Sequence, residues 1–232
     1  MKALANRLAR PQVTLLLFVL VAAIMAVMQS FFPATLAVPL PGSTIRPVLL
    51  LEFAATPQHL VHIFGEPGDP QRAARIAGMT TGNQLDYLLM PAYALLTLSF
   101  FLGVGRELGG TIWRLFGWMG VIAALADSVE NAIMFRMVAD MAHPLGEMAI
   151  LPFPVWTKFG LLALTCGGAA LAFARMRRWV LAALCLPAPL LLVPAMLDPY
   201  GIGPTATAMI GLGWLAMAIH AGSRWWQARR AS

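Results

Sequence analysis

Hydrophobic residues of this chain are concentrated in six long runs, and polar segments separate the runs from one another. The six runs cover residues 13–32, 84–104, 115–138, 155–174, 179–197 and 205–222. A helical run of about 18–24 residues matches the hydrocarbon core of a bilayer, which is about 30 Å thick. The pattern therefore predicts six transmembrane helices. The fifth is the least regular because Pro187, Pro189 and Pro194 lack a backbone donor.

The composition supports this interpretation and excludes most alternatives. Of the 232 residues, 59% are hydrophobic and only 11% are charged, whereas a soluble domain has about 45–50% apolar and about 25% charged residues. A disordered chain, a disulfide-rich scaffold and an ordinary cytosolic enzyme are therefore excluded. Cys166 and Cys185 lie inside apolar runs, where small buried hydrophobic residues are expected. We predict an all-α fold with a single membrane domain over residues 1–232.

The basic residues indicate how the helices are oriented. With the N-terminus inside, eleven of the 16 Lys and Arg residues are cytoplasmic: Lys2, Arg7, Arg10, Arg106, Arg114, Arg175, Arg177, Arg178, Arg224, Arg229 and Arg230. The external side holds Arg46, Arg72 and Arg75. Because Lys and Arg concentrate in cytoplasmic loops, we expect both termini inside and a multi-pass protein of the cell's inner (plasma) membrane. The net charge of +6 reflects this orientation, and nucleic acid is not expected as a partner.

The first run has a second interpretation. Lys2, Arg7 and Arg10 precede it, and Thr35-Leu36-Ala37 is similar to a signal-peptidase site. The run continues through Phe31-Phe32, which is longer than a signal peptide requires. We therefore expect an uncleaved membrane anchor.

The first external connection, residues 33–82, is long for an undecorated loop. Thr56-Pro57 and Asp69-Pro70 are helix-start signals, and Gly65 and Gly78 are the matching stop signals. Two or three short helices are therefore expected in this connection, where they cap the outer surface of the membrane.

Charged and amide side chains interrupt the third run at helical spacing. Asp127, Glu130 and Asn131 occupy positions i, i+3 and i+4, so they share one face of a helix. Two small residues extend that face, Gly120 and Ala124. Since small residues allow helices to approach closely, this face is expected to point into the bundle. The opposite face is expected to contact lipid and carries Ile122, Leu125, Val129 and Ile133.

Polar side chains on two other runs lie at the same predicted depth. The second run carries a stripe at helical spacing, formed by Asn83, Asp86, Met90, Tyr93 and Thr97. The fourth run carries Lys158, Thr165 and Ala169 on one face. By the predicted topology these stripes meet toward the outer side of the membrane. We therefore predict one polar cluster that contains Asp86, Tyr93, Asp127, Glu130, Asn131 and Lys158.

The charges of this predicted cluster do not balance, because three carboxyls face Lys158 alone. A charge at the bilayer centre costs about 2.5–3.5 kcal/mol on insertion scales. The excess therefore implies a protonated carboxyl, a bound cation, or a partner from the connection over residues 33–82. Glu52 in that connection is either a solvent-facing residue or a member of the site. The cluster is either a site for a ligand, ion or proton, or a structural network between helices.

Two histidines in the first external connection are weak candidates for a metal site. His59 and His62 are three residues apart on a predicted short helix, and together with Glu52 they are able to bind a metal ion. This spacing without an HExxH-type motif is typical of a surface helix, so no metal and no cofactor are expected. The chain has no Walker, GxGxxG or GxSxG motif.

The polar residues follow an order that is similar to a pattern in multi-pass bacterial membrane proteins of unknown activity. The pattern consists of Glu52, Asp86-Tyr87, Asp127-Ser128-Val129-Glu130-Asn131 and Lys158. The resemblance covers residues 50–175. It implies no activity, cofactor or ligand.

The sequence favours one class of function and leaves two others open. In the leading hypothesis, an outward-side pocket of carboxyls and Lys158 binds a small ligand, an ion or a lipid head group, in a transporter-like role. One alternative is an intramembrane enzyme that acts on a lipid or isoprenoid, with a carboxyl as general acid or base. The other is an accessory or assembly subunit of a membrane complex. The expected partners are membrane lipid and the small ligand or ion, and no oligomeric state follows from the pattern.

Overall fold

The computed structural model describes residues 2–230, and of Lys2 it describes only the backbone. The regular elements of these residues are all helices. Residues 1, 231 and 232 of the predicted domain lie outside the described residues. The elements are α1 (Lys2–Leu8), α2 (Pro11–Gln29), α3 (Pro47–Glu52), α4 (Pro57–Phe64), α5 (Arg72–Leu108), α6 (Ile112–Ala139), α7 (Leu145–Ile150), α8 (Pro152–Arg175), α9 (Trp179–Cys185), α10 (Pro187–Leu197) and α11 (Gly203–Arg230).

Six helical segments are long and apolar enough to cross a membrane, which confirms the predicted all-α, multi-pass architecture. They are α2, α5, α6, α7 with α8, α9 with α10, and α11. The fifth segment is interrupted at Leu186, and α10 then restarts at Pro187, because proline has no N–H to continue the hydrogen-bond ladder. Which end of the bundle faces the cytoplasm stays a prediction.

The last eleven residues of the predicted connection over residues 33–82 belong to a long helix, and their position outside the membrane stays a prediction. Helix α5 begins at Arg72 and runs for 37 residues to Leu108, so Gly78 does not end a helix. A Cβ at Gly78 would collide with the carbonyl oxygen of Phe31, and a Cβ at Gly82 would collide with the ring of Phe32. These two glycines therefore serve the close packing of the chain after α2 against α5. Gly82 was not interpreted from the sequence.

The segment between α2 and α5 contains two short helices. Helix α3 starts at Pro47, and α4 starts at Pro57 and ends at Gly65, whose φ is +90°. Proline suits the first helical position because its missing N–H has no helical partner there. The predicted short helix from Asp69 to Gly78 is wrong, because residues 72 to 78 belong to α5.

Helix α6 packs between α5 and α8 through small residues. A Cβ on Gly120 of α6 would collide with the Thr97 hydroxyl of α5, and a Cβ on Gly168 of α8 would lie 2.5 Å from the ring of Phe116 on α6. These contacts bring the backbones close together. As a result, the polar face of α6 points into the bundle, as its small-residue stripe predicts.

Three of the four residues on the predicted lipid-facing side of α6 are exposed, and their contact with lipid stays a prediction. Ile122, Leu125 and Val129 are exposed, whereas Ile133 is 7% exposed and belongs to the core. On the helical wheel Ile133 lies between the buried Glu130 and the exposed Val129, at spacings of three and four residues. Its burial therefore depends on how α6 packs and not on the periodicity alone.

Candidate functional site

Lys158 lies at the centre of a buried cluster of carboxyls. Its Nζ atom is 2.8 Å from Glu130 Oε1, 3.3 Å from Asp127 Oδ1 and 3.5 Å from Glu52 Oε2. Asp127 and Glu130 come from α6, whereas Lys158 comes from α8 and Glu52 ends α3. The i, i+3 spacing on α6 places both of its carboxyls on the side that meets α8.

Tyr93 extends this cluster toward α11. Its hydroxyl donates a hydrogen bond of 2.9 Å to Asp127 Oδ2, so Asp127 is held by Lys158 at one oxygen and by Tyr93 at the other. The Tyr93 ring stacks on Trp214 of α11, with 5.6 Å between ring centroids. Trp214 was not among the predicted residues, because nothing in the spacing of α11 distinguishes it from a packed tryptophan.

Asp86 occupies the other end of the polar group. Its Oδ2 atom accepts a hydrogen bond of 2.9 Å from Asn131 Nδ2, which also donates to the carbonyl of Asn83 at 3.2 Å. Within residues 3–230, no Lys, Arg or His nitrogen lies within 4.0 Å of the Asp86 carboxyl. The amide of Asn131 therefore positions Asp86 without neutralising its charge.

The structure brings together the seven residues that the sequence predicts for the site. Two threonines of the predicted polar stripes, Thr97 and Thr165, do not join them. The seven are Glu52, Asp86, Tyr93, Asp127, Glu130, Asn131 and Lys158. The hydroxyls of Thr97 and Thr165 donate instead to carbonyls of their own helices. That these seven residues bind a ligand stays a prediction.

The charge imbalance is larger than the sequence alone indicates, because Glu52 adds a fourth carboxyl. Glu130 is 0% exposed, and its Oε2 atom has no hydrogen-bond partner in the described part of the chain. The Oε2 atom of Glu52 also lacks a hydrogen bond, although it faces the Lys158 ammonium. Burial raises the pKa of the Glu52 carboxyl, and nearby Asp127 raises it further, while Lys158 opposes this shift.

A cavity of about 580 Å³ lies beside the cluster. Its polar wall includes Glu52, Asp86, Asp127 and Lys158, while Glu130 lies behind that wall. Its apolar wall comes mainly from α2, α5, α8 and α11 and includes Met25, Met28, Leu89, Leu162, Ile210 and Trp214. Ligand pockets typically have volumes of about 300–1,000 Å³ and combine apolar lining with a few convergent polar groups.

Trp214 contributes a buried donor without a partner. It lines the cavity, it is 6% exposed, and its indole Nε1 has no hydrogen-bond acceptor among the residues described. A buried unpaired donor is unfavourable by about 1–3 kcal/mol. An acceptor group on a ligand in the cavity would remove this penalty.

The two histidines that were weak metal candidates have other partners. The backbone N–H of Ala55 donates to His59 Nδ1 at 3.1 Å, and His62 Nδ1 lies 2.9 Å from the carbonyl oxygen of Val38. Burial lowers the pKa of His59, and the neighbouring His62 adds to this shift. Over residues 2–230, no group of three or more His, Cys, Asp or Glu side chains is arranged to hold a metal ion.

Comparison with known proteins adds no relative whose function could be transferred. No protein-family model matches the chain, and no curated protein or solved structure is significantly similar to it.

Proposed function

We propose that this multi-pass membrane protein binds a small organic cation in the cavity beside Lys158 and has a transporter-like role. The observation that carries the proposal is Asp86, a carboxyl that lines the cavity with an amide partner but no basic partner within 4.0 Å. A carboxylate in a site of low dielectric favours a positive charge beside it, because water does not screen the attraction.

The rest of the cavity supports an organic cation. Three carboxyls surround the Lys158 ammonium and the Asp86 carboxyl lines the same cavity, so a ligand with positive charge reduces the imbalance. Tyr93 and Trp214 add two stacked aromatic rings to the lining, and aromatic faces attract ammonium groups. A volume of about 580 Å³ is larger than a proton or a bare metal ion needs.

The transporter-like role is supported by the ion pairs that Lys158 of α8 makes with carboxyls of other helices. Lys158 pairs with carboxyls from α3 and α6. A cation bound beside Asp127 competes with Lys158 for the same carboxyl, and Lys158 then pairs more strongly with Glu52 or Glu130. Ligand binding is thereby coupled to the contacts between α3, α6 and α8.

The test is binding of simple amines to the full chain in lipid nanodiscs. Calorimetric titration with a series from methylamine to dodecylamine is expected to show saturable binding that Asp86→Asn weakens by about tenfold or more. The control is Glu147→Gln, which also changes an acid to its amide but at a salt bridge with Arg136 outside the cavity. If every amine binds wild type no better than it binds Asp86→Asn, the proposal is wrong.

Uptake into vesicles tests the transporter-like part separately. Reconstituted protein is expected to accumulate the bound amine when an ion gradient is imposed, and Asp86→Asn is expected to abolish accumulation. Saturable binding without any accumulation would contradict transport and limit the protein to a binding role.

A second candidate, an intramembrane enzyme acting on a lipid, is favoured by one observation. The buried Glu52 carboxyl has a raised pKa and an oxygen without a hydrogen bond, which suits a general acid or base. Incubation of the protein with extracted lipids tests this candidate. Turnover that is lost in Glu52→Gln but kept in Glu147→Gln would favour the enzyme over the transporter.

A further inference from the structure

One side of the cavity is lined by residues of α2 and α11 that are also exposed. Met25 of α2 lines the cavity and is also 39% exposed, and Ala208 of α11 likewise lines it and is exposed. Exposed residues of two neighbouring segments that line one cavity indicate that its mouth lies between those segments. Met25 lies four residues before the end of α2 and Ala208 five residues after the start of α11, so both positions are about one helical turn inside segments that are long and apolar enough to cross a membrane.

Small residues of α11 produce this opening. Pro204, Ala208 and Gly211 line the cavity at helical spacing. A Cβ added to Gly211 would meet no atom within 4 Å, because Gly211 borders the cavity that α11 lines together with α2. This open space is the gap beside Gly211.

At its α3 end the rim of the cavity carries a positive charge. Arg46 and Gln29 line the cavity and are exposed there, and the Arg46 guanidinium donates a hydrogen bond of 2.8 Å to Gln29 Oε1. Arg46 repels a cation that approaches from water. Met25, Ala208 and Gly211 at the lateral gap carry no charge.

We propose that the ligand is an amphiphilic amine that enters from the bilayer between α2 and α11. This inference rests on the proposed cation-binding function and adds the class of ligand and its route. The ammonium lies at Asp86, and the alkyl chain runs along Met25 and Met28 and leaves through the gap beside Gly211.

The apolar wall suits such a chain. Leu89, Leu162 and Ile210 line the cavity, and these side chains offer an alkyl chain apolar contacts that a small water-soluble amine does not make. An amphiphile also concentrates in the bilayer next to the gap, whereas a small amine stays in water. The lateral route therefore selects for a hydrocarbon chain as well as for positive charge.

Gly211→Leu is the variant that tests the route. Its side chain would fill the gap without a clash, since the space around that Cβ is empty. Gly222→Leu is the matched control, because Gly222 lies on the same helix, also has empty space at its Cβ, and does not line the cavity. Ala208→Leu is a second variant at the gap, and thermal unfolding checks that each variant is folded.

The measurement is calorimetric titration in nanodiscs with dodecylamine and methylamine, corrected with empty nanodiscs. Wild type is expected to bind dodecylamine about tenfold or more tightly than methylamine. Gly211→Leu and Ala208→Leu are expected to weaken dodecylamine by about tenfold and to leave methylamine within about twofold, whereas Gly222→Leu changes neither.

The outcomes separate this inference from the proposed function. If both amines bind equally well, lose binding in Asp86→Asn and are unaffected by Gly211→Leu, the cavity binds cations but the lateral route is wrong. If neither amine shows binding that depends on Asp86, both proposals are wrong.

Discussion

Glu52, the last residue of α3, places its carboxyl 3.5 Å from the ammonium of Lys158 on α8. Helix α3 has only six residues and is not one of the six spanning segments. The ion pair therefore ties the segment between α2 and α5 to the charged interior of the bundle. A change in the charge of the cluster changes how this segment is held.

The first prediction concerns the pH dependence that Glu52 introduces. Burial raises the pKa of its carboxyl above the ordinary value of 4.5, with Asp127 adding to the shift and Lys158 opposing it. The folded protein then binds this proton more tightly than the unfolded chain does, so stability is lost as pH rises above about 4.5 through the raised pKa. Glu52→Gln is expected to lose less thermal stability than wild type as the pH is raised from about 4.5 through the neutral range.

Thermal unfolding in detergent across that pH range checks this expectation. Glu147→Gln is the control, because Glu147 pairs with Arg136 away from the cluster. The expectation fails if Glu52→Gln keeps the full pH dependence of wild type, or if Glu147→Gln removes as much of it.

The second prediction compares Lys158 with Glu130. Lys158→Met leaves the surrounding carboxyls without their ammonium, and removing one partner of a buried ion pair is unfavourable by about 3–5 kcal/mol. A melting temperature about 6–20 °C below wild type is expected for a chain of this size. Glu130→Gln is expected to be mild, because it removes one of several negative charges around Lys158. A stable Lys158→Met together with a strongly destabilised Glu130→Gln would contradict the charge argument.

The third prediction concerns the contact between α5 and α6. Gly120→Ala would place a methyl group against the Thr97 hydroxyl, where there is no room for it. Overpacking of this kind destabilises by about 1–3 kcal/mol, even though alanine favours a helix more than glycine does. Gly222→Ala, which has empty space at its Cβ, is expected to be neutral or stabilising in the same unfolding experiment. Equal stability of the two variants would mean that α5 and α6 are not packed this closely.

The fourth prediction concerns membrane topology. Arg177 is exposed between α8 and α9, and Gly146 lies in α7 with empty space at its Cβ. In a background in which both buried cysteines are replaced by alanine, Arg177→Cys is expected to react with an impermeant thiol reagent only after the cells are permeabilised. Gly146→Cys is expected to react in intact cells. Labelling of position 177 in intact cells would overturn the predicted orientation.

Some features of the fold and of the site follow directly from the sequence. The six apolar runs determine six spanning segments, because only helices of that length satisfy their backbone groups in lipid. The spacing of Asp127, Glu130 and Asn131 determines that they share a face, because helical periodicity is a local property. Proline at position 187 likewise predicts the interruption between α9 and α10.

Other features were decided only by the tertiary structure. The sequence pattern allows Glu52 either to face solvent or to belong to the site. The same pattern predicts a helix stop at Gly78, and it does not distinguish Trp214 from an ordinary packed tryptophan. In the structure, Glu52 approaches Lys158, α5 continues past Gly78, and Trp214 stacks on Tyr93. These arrangements depend on residues that are distant in the chain or on different elements. Periodicity states which face of a helix a residue occupies, but not which neighbour that face meets. The crossing of helices and the path of the connections set that neighbour, and both depend on packing of the whole chain.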